Sequence, residues 1–433
     1  MKTNYKNALV AILMLVTLGL TAQNRKLDNF RQPDKNGLNV FESPKDTVST
    51  FNGVKVRIGG SSTIQFQALD HENANPTTVN PDNGANEQLF TLKEIGSNFN
   101  LATANLDIDV VLYDGVRMHL RTYLSSRHHT EPYVKGGYFQ IDKLEFVGEG
   151  FMEDFMKYAT IKIGHMENNY GDAHFRRTDN AQAIYNPFVG NLIMDSFTTE
   201  VGAELYYQRN GFIGMVGLTN GKLNQSVNKK GNNTGGASFL AKLGYDKQIN
   251  SDFRFRLTGS MYNTGSVQSS YLYSADRTGS RYYGVMILDG ADDNFRSGRY
   301  NPNLKNQITA VMFNPFLKYK NLEFFGTIEN ATGKATSEAE KRTAKQYAGE
   351  LIYRFGNTEN LYVGTRYNKL DSEESNGSNV KISRFQVSGG WFMTENILLK
   401  AEYVNQKYDG YSNESAFGKG KFNGFIAEAV ISF

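Results

Sequence analysis

The sequence has 433 residues, no cysteine, a formal net charge of +3 and a mean hydropathy of −0.49. The lack of cysteine excludes a disulfide framework, near-neutral charge argues against nucleic acid as a partner, and no apolar run reaches the roughly 20 residues of a membrane-spanning helix. Many Tyr, Phe and Gly residues with few aliphatic ones are typical of a β-barrel with aromatic girdles.

The N-terminus has the pattern of a secretory signal peptide. Two lysines precede an apolar run at residues 8–20, which is too short to span a bilayer, and Ala22 is a small residue suited to cleavage. We therefore expect residues 1–22 to be removed, which leaves a net charge of +1. Residues 23–53 are polar and interrupted by prolines, so we expect a flexible periplasmic N-terminal segment before a barrel at residues 54–433.

From Val54 onward, runs of about ten residues with alternating apolar and polar side chains are separated by short turns and longer polar loops. This alternation is the weak signature of a transmembrane barrel. We predict an all-β, antiparallel transmembrane β-barrel of about 16 strands, with short periplasmic turns and long external loops. Residues 264–304 are long enough to contain one more pair of strands. The predicted strands are 54–68, 98–113, 116–126, 138–147, 157–165, 198–209, 212–219, 237–246, 252–263, 305–319, 322–330, 346–356, 360–370, 380–392, 397–408 and 422–433.

Two predicted hairpins fix the expected pairing of strands. Asn210-Gly211 is typical of a two-residue hairpin turn. A turn of this length places Leu205 opposite Val216, on the same face as the alternation requires. The turn at Asp114-Gly115 fits the alternation only as a three-residue loop with a bulge. The resulting predicted pairs are Leu112 with Val116, Asp109 with His119, and Asp107 with Arg121.

A barrel of about sixteen strands is wide enough for an aqueous channel, so inward-facing charges would set its selectivity. The excess of inward-facing bases is modest and favours anions. The alternative is that many of these charges pair across neighbouring strands and only keep the wall hydrated. The predicted pore-lining residues are Arg117, Arg121, Asp107, Asp109, Arg254, Arg256, Arg366, Arg384 and Glu402.

The connection at residues 166–197 is the third external loop on this count, and in general porins that loop folds into the barrel. Its start, Met166-Glu167-Asn168-Asn169-Tyr170-Gly171-Asp172, follows Lys162-Ile163-Gly164-His165 and precedes Tyr185-Asn186-Pro187-Phe188. Together these residues resemble Bacteroidetes outer-membrane porins of the phosphate-selective porin O and P family, with the specific match mainly in residues 161–209 and the last strand.

The resemblance implies a passive channel whose constriction is formed by this loop. The predicted constriction residues are Arg176, Arg177, Asp172 and Asp179. The alternative is an exposed arginine pair bonded to one of these aspartates. The sequence contains no clear lysine-rich ladder, so no phosphate-binding residues are assigned.

The final strand ends on an aromatic residue. Phe425, Ala427, Ala429, Ile431 and Phe433 share one face, and Glu428 lies on the other. This ending resembles bacterial outer-membrane barrels, whose assembly machinery reads the terminal residue. The predicted partners are therefore outer-membrane lipid, the barrel-assembly machinery through Phe433, and small hydrophilic solutes or anions. Porins of this size are often trimers, so a homotrimer is one assembly that the sequence allows.

Enzymatic and metal sites have weaker support. Asp109 with His119 is a candidate acid–base pair, but such a pair inside a polar wall is more often structural. His128-His129 and the His165/His174 pair lack the ligand spacing of a metal site, so we predict neither a metal nor a cofactor. The predicted function is a non-enzymatic porin of the bacterial outer membrane. The alternatives are a barrel enzyme, an adhesion or assembly barrel that binds through its long loops, and a soluble β-sandwich.

Overall fold

The computed structural model describes residues 27–79, 84–124, 132–177, 182–227, 229, 235–274, 282–293 and 295–433. The predicted signal peptide lies outside the described residues. Within the described part, no helix combines the length and apolarity needed to cross a membrane.

The described residues form eighteen strands and a few short helical turns. The helix α1 is Glu153–Met156, and single 3-10 turns lie at Lys35–Gly37 and Ala173–Phe175. The strands are β1 (Lys55–Glu72), β2 (Thr77–Val79), β3 (Asn86–Gln88), β4 (Asn98–Tyr113), β5 (Val116–Leu124), β6 (Tyr133–Ile141), β7 (Ala159–Glu167), β8 (Thr199–Arg209), β9 (Phe212–Thr219), β10 (Ser238–Gln248), β11 (Phe253–Thr264), β12 (Gln307–Tyr319), β13 (Leu322–Lys334), β14 (Arg342–Phe355), β15 (Leu361–Glu373), β16 (Asn379–Thr394), β17 (Ile397–Asp409) and β18 (Lys421–Ser432).

Sixteen of these strands form one closed antiparallel barrel, in which β1 pairs with β4 on one side and with β18 on the other. Strands β2 and β3 form a separate hairpin. The predicted all-β barrel of about 16 strands is confirmed, and the β-sandwich alternative is wrong. The described part of residues 264–304 adds no barrel strand and makes only isolated bridges, Leu92 with Leu288 and Tyr282 with Ser297.

The outer face of the barrel is apolar and the inner face polar, the reverse of a soluble barrel. On β1, Val56, Ile58 and Ile64 point outward and are 44%, 53% and 51% exposed, whereas Arg57 and Thr63 point inward and are buried. Similar exposed aliphatic and aromatic side chains occur on the other barrel strands. Such a continuous apolar surface is stable in lipid and not in water.

The β4–β5 hairpin confirms part of the predicted register and corrects the rest. Asp109 pairs with His119 and Asp107 with Arg121, as predicted. The predicted pair of Leu112 with Val116 is wrong, because Tyr113 pairs with Val116 and Leu112 is the residue skipped by the bulge. Gly115 has a φ of 71°, which a residue with a Cβ adopts at a cost. The β8–β9 pairing follows the prediction throughout.

One strand lies several residues from its predicted position. The sequence predicts a strand at 138–147, whereas β6 is Tyr133–Ile141. Its pairing with β5 shifts between Arg121 and Thr122, so that Lys135 is skipped as a bulge residue. The bulge and the two glycines after it interrupt the alternation from which strands are predicted.

The barrel interior is filled by chain segments that are not strands. Most of the described residues between 168 and 198, and many of those between 265 and 306, are buried inside it, and part of residues 27–46 is buried at the end that carries the short turns. The buried apolar residues therefore lie between these segments and the inner wall. This arrangement determines where open space remains in the lumen.

Candidate functional site

The loop between β7 and β8 crosses the lumen and is held by inward-facing wall side chains. Asn368 accepts a hydrogen bond from the backbone N–H of Ile193 at 2.7 Å, and Gln346 accepts one from Met194 at 2.8 Å. On the adjoining wall, Lys400 donates to three loop carbonyls at 2.8–3.0 Å. Because the wall satisfies backbone groups that would otherwise be buried without partners, the loop has a defined path inside the barrel.

The predicted constriction residues in this loop are buried in ion pairs. Arg176 is 4% exposed and lies 3.2 Å from Glu350, and Arg177 is 3% exposed and is bonded to Asp195. Arg177 also stacks on Phe197 at 4.1 Å from the ring centroid. The two guanidinium groups thus fasten the loop to the wall and to itself. Asp179 lies outside the described residues.

The third predicted constriction residue, Asp172, lies at the opposite wall. Arg256 on β11 contacts it at 2.8 Å and Lys242 on β10 at 3.0 Å. Glu42, from the segment before β1, contacts the same two bases at 2.8 and 3.5 Å. Burial by itself would raise the pKa of the Glu42 carboxyl, but Arg256 and Lys242 outweigh burial and hold this pKa at about 2. The same two cations hold the pKa of Asp172 well below its usual range.

The segment before β1 runs across the barrel mouth at the end with the short turns. Asn39 donates to Glu323 on β13 at 2.7 Å, and Lys45 forms an ion pair with Asp142 after β6 at 3.1 Å. Phe30 lies under the guanidinium groups of Arg57 and Arg117, at 5.2 and 4.9 Å. The segment therefore contacts several sides of the wall, which the sequence did not predict.

A first cavity remains on the side of the lumen formed by β1 and β4 to β7. Its volume is about 170 Å³, and six Lys or Arg, two His and four acidic side chains are among the residues that line it. The carboxylate oxygens of Asp109 lie 3.0 Å from a guanidinium nitrogen of Arg117, 3.2 Å from one of Arg57 and 2.9 Å from Nδ1 of His119. Asp107 is paired with Arg121 at 2.6 Å. The wall is thus an ion-pair network with surplus positive charge, and we name this space the inner cavity.

A second cavity lies closer to the end with the long loops, and we name it the vestibule. Its volume is about 520 Å³. The Lys and Arg residues among its described lining are Lys135, Arg296, Arg299 and Lys305; His165 lines it too, and that lining includes no carboxylate. Lys135, the bulge residue of β6, lines both cavities, because a bulge changes the direction of a side chain.

The structure divides the predicted pore-lining residues into two groups. Asp107, Asp109, Arg117 and Arg121 line the inner cavity. The others face inward but are covered: Arg254 and Arg256 by the N-terminal segment, and Arg366, Arg384 and Glu402 by the two inward loops. Arg57 and Lys162, which the alternation also turns inward, line the inner cavity as well. The Lys and Arg residues that the sequence prediction missed are Arg31, Arg296, Arg299, Lys305 and Lys135, and only Lys135 had a local signal, the interrupted alternation of β6.

The candidate metal and acid–base residues do not form a larger site in the part of the chain that the structure describes. Within it, no group of three or more His, Cys, Asp and Glu side chains is arranged to hold a metal ion. His128-His129 lie outside the described residues. The Asp109 carboxylate beside His119 also accepts hydrogen bonds from two arginines, Arg57 and Arg117, which is the arrangement of a structural ion-pair network.

Comparison with known proteins shows the fold. No protein-family model matches the chain, and no curated protein matches it either. An anion-selective porin from Comamonas acidovorans is 10% identical, with a TM-score of 0.53, over 88% of this chain and 99% of that one. The outer-membrane channel DcaP of Acinetobacter baumannii is 14% identical, with a TM-score of 0.51, over 88% and 98%.

The outer-membrane protein OmpT of Vibrio cholerae, in a trimer form, is 11% identical, with a TM-score of 0.52, over 88% of this chain and 100% of that one. At such identities the likeness is one of fold. The fold is that of a large outer-membrane barrel and, together with the apolar outer face, it places the protein in the outer membrane.

Proposed function

We propose that the protein is a non-enzymatic porin that lets small hydrophilic solutes diffuse passively across the outer membrane, with a preference for anions. The observation that carries this proposal is that Lys135 lines both the vestibule and the inner cavity. A vestibule with four described Lys and Arg residues and an inner cavity with six follow one another along the same side of the lumen and meet at this residue. A solute that enters from the long-loop end would pass Lys135 to reach the middle of the barrel.

The charge balance of this path supports anion preference. Positive side chains outnumber carboxylates in both cavities, and each is bounded by a low-dielectric protein wall. Such walls focus the field of the lining charges and raise the local concentration of counter-ions. The carboxylates of the inner cavity are held in ion pairs, so they reduce the positive field without reversing it.

We assign the width of the path to the loop at residues 166–197. Arg176 and Arg177, through Glu350 and Asp195, and Asp172, through Arg256, fasten this loop away from the inner cavity. In this proposal they set the constriction by positioning the loop, while Arg121, Lys135 and Lys162 meet the solute. The resemblance to phosphate-selective porins O and P of Bacteroidetes and the fold of the anion-selective porin from Comamonas acidovorans both support an anion channel.

The proposed organisation of the chain is a signal peptide at 1–22, a periplasmic N-terminal segment at 23–53 and a barrel at 54–433. Phe433 pairs with Gly60 through two backbone hydrogen bonds of 3.0 Å, and its ring is exposed. This position at the barrel closure is consistent with recognition of Phe433 by the barrel-assembly machinery. The trimer form of the Vibrio cholerae protein supports a homotrimer.

Planar-bilayer recording under a salt gradient tests the proposal. We expect an open channel whose reversal potential indicates anion preference, and we expect a Lys135→Ala/Lys162→Ala variant to lose much of that preference. Lys381→Ala is the matched control, because Lys381 is exposed and its neighbours Val380 and Ile382 point inward. A cation-preferring wild type would refute the anion assignment.

One observation favours a second function, a barrel that binds a partner through its long loops. The N-terminal segment and two loops fill much of the lumen, so the barrel could be closed to solutes. A folded, inserted wild type that passes no current would favour this alternative over the porin.

A further inference from the structure

Four cationic side chains, Lys135, Arg296, Arg299 and Lys305, are among the described residues that line the vestibule. Arg299 donates to the Tyr273 carbonyl at 3.2 Å, and its Nε is buried with no hydrogen-bond partner in the described protein. Burial and the neighbouring Arg296 lower the pKa of Arg299 to about 10, and together they outweigh Asp195, whose negative charge raises it. An anionic ligand would supply the acceptor that this buried N–H lacks, and hydrogen bonds to charged acceptors are stronger than those to neutral ones.

Aromatic rings form another part of the same lining. Tyr123 and Tyr133 are paired across β5 and β6, and Phe197 and Tyr271 come from the two inward loops. The ammonium group of Lys135 lies 4.7 Å from the ring centroid of Tyr123 and 5.7 Å from that of Phe197. The vestibule therefore places cations beside ring surfaces, an arrangement that suits a ligand with both a charge and a flat apolar part.

The size of the vestibule also suits an organic ligand. At about 520 Å³ it is in the range of roughly 300–1,000 Å³ found for small-molecule sites, and it exceeds what a bare inorganic anion needs. Asn224 and Asn301 add polar groups to the lining. Apolar surface with a few convergent polar groups is the usual composition of a site for an organic ligand.

We propose that the vestibule is a binding site for aromatic carboxylates, with Arg299 and Lys305 receiving the carboxylate and Tyr271 contacting the ring. This deepens the proposed porin function by naming a solute class, and it rests on that function for the onward passage of the ligand past Lys135. Arg299 and Lys305 bind the charge, and Tyr271 distinguishes an aromatic ligand from other anions of the same charge.

Isothermal titration calorimetry on the detergent-purified full-length chain tests the site without requiring a current. The probes are benzoate, cyclohexanecarboxylate, acetate and inorganic phosphate. We expect benzoate to bind at least about tenfold more tightly than acetate or phosphate, and more tightly than cyclohexanecarboxylate, which has the same charge without an aromatic ring. Equal affinity for benzoate and acetate, or tighter binding of phosphate, would overturn the proposal.

Three variants locate the binding. Lys305→Gln and Arg299→Gln should each weaken benzoate binding about tenfold. Tyr271→Leu should weaken benzoate while leaving acetate unchanged, and Lys381→Ala should change neither. Folding of each variant is checked by the heat-dependent mobility of the barrel in a detergent gel. Binding that survives both charge variants would place the ligand elsewhere and refute the site. A chain that binds benzoate but never conducts would refute the porin function and leave the site standing.

Discussion

Glu42 and Arg256 form a buried ion pair with 2.8 Å between Oε2 and Nη1, although the two residues are 214 positions apart. The same guanidinium group contacts Asp172, and Lys242 lies within reach of both carboxylates. The segment before β1 and the inward loop after β7 are therefore fastened at one place on the wall. Loosening this cluster should change how freely the barrel mouth opens.

Substituting Glu42 with Gln should release the N-terminal segment more often. Arg256 keeps Asp172 as a partner, so the barrel should stay folded while docking of the segment weakens by about 1–3 kcal/mol. We expect more frequent or larger conductance steps in single-channel recordings, with little change in Tm. Glu149→Gln, at an exposed position, is the control and should behave as wild type. Unchanged conductance would mean that the segment does not limit the current.

Covalent locking of the segment should have the opposite effect. The native chain contains no cysteine, so a Ser43→Cys/Gln140→Cys variant can be cross-linked by a bis-maleimide without side reactions at other thiols. These two side chains approach within 3.4 Å. We expect the cross-linked protein to show only the smallest wild-type conductance, and a chain lacking residues 27–50 to show the largest. Equal conductance in the locked and shortened proteins would show that the mouth is open with the segment in place.

Acid should undock the segment over a defined pH range. The pKa of Glu42 is about 2 in the folded protein against an ordinary value of 4.5, and that of Asp172 is lowered too. A lowered carboxyl pKa stabilises the folded arrangement fully above the ordinary value, and this contribution is lost as pH falls toward the folded value. Conductance recorded from pH 7 to pH 2.5 should be steady to about pH 4.5 and rise below it. Glu42→Gln should reduce the size of that rise, and a transition centred near pH 6 would contradict the assignment.

Lys135 should control anion preference more strongly than a typical wall lysine, because it is the one base that the described linings of both cavities share. Lys135→Ala should move the reversal potential toward zero, and Lys135→Glu should move it further and reverse its sign, since charge close to a narrow path dominates the local field. Lys381→Ala tests whether any lysine has this effect and should leave the reversal potential in place. If Lys135→Glu keeps the wild-type preference, the path does not pass this residue.

The sequence by itself determined the barrel. Alternation with a period of two is a local property, so the number of strands and most of their bounds follow from short windows, such as the sixteen residues of β4 that match the prediction at both ends. Turn chemistry and parity likewise determined that Asp109 faces His119 and Asp107 faces Arg121. The bulge at Leu112 was misplaced because a bulge can sit at several positions without changing the pairing beyond it.

Only the tertiary structure decided what fills the lumen. The destinations of the N-terminal segment and of the loop with Arg176 and Arg177 depend on contacts between residues far apart in sequence, such as Glu42 with Arg256 or Met194 with Gln346. No periodicity records such contacts, because irregular segments have no repeating face. Whether an inward-facing charge such as Arg121 lines a cavity or, like Arg384, is covered by a loop is decided by that packing.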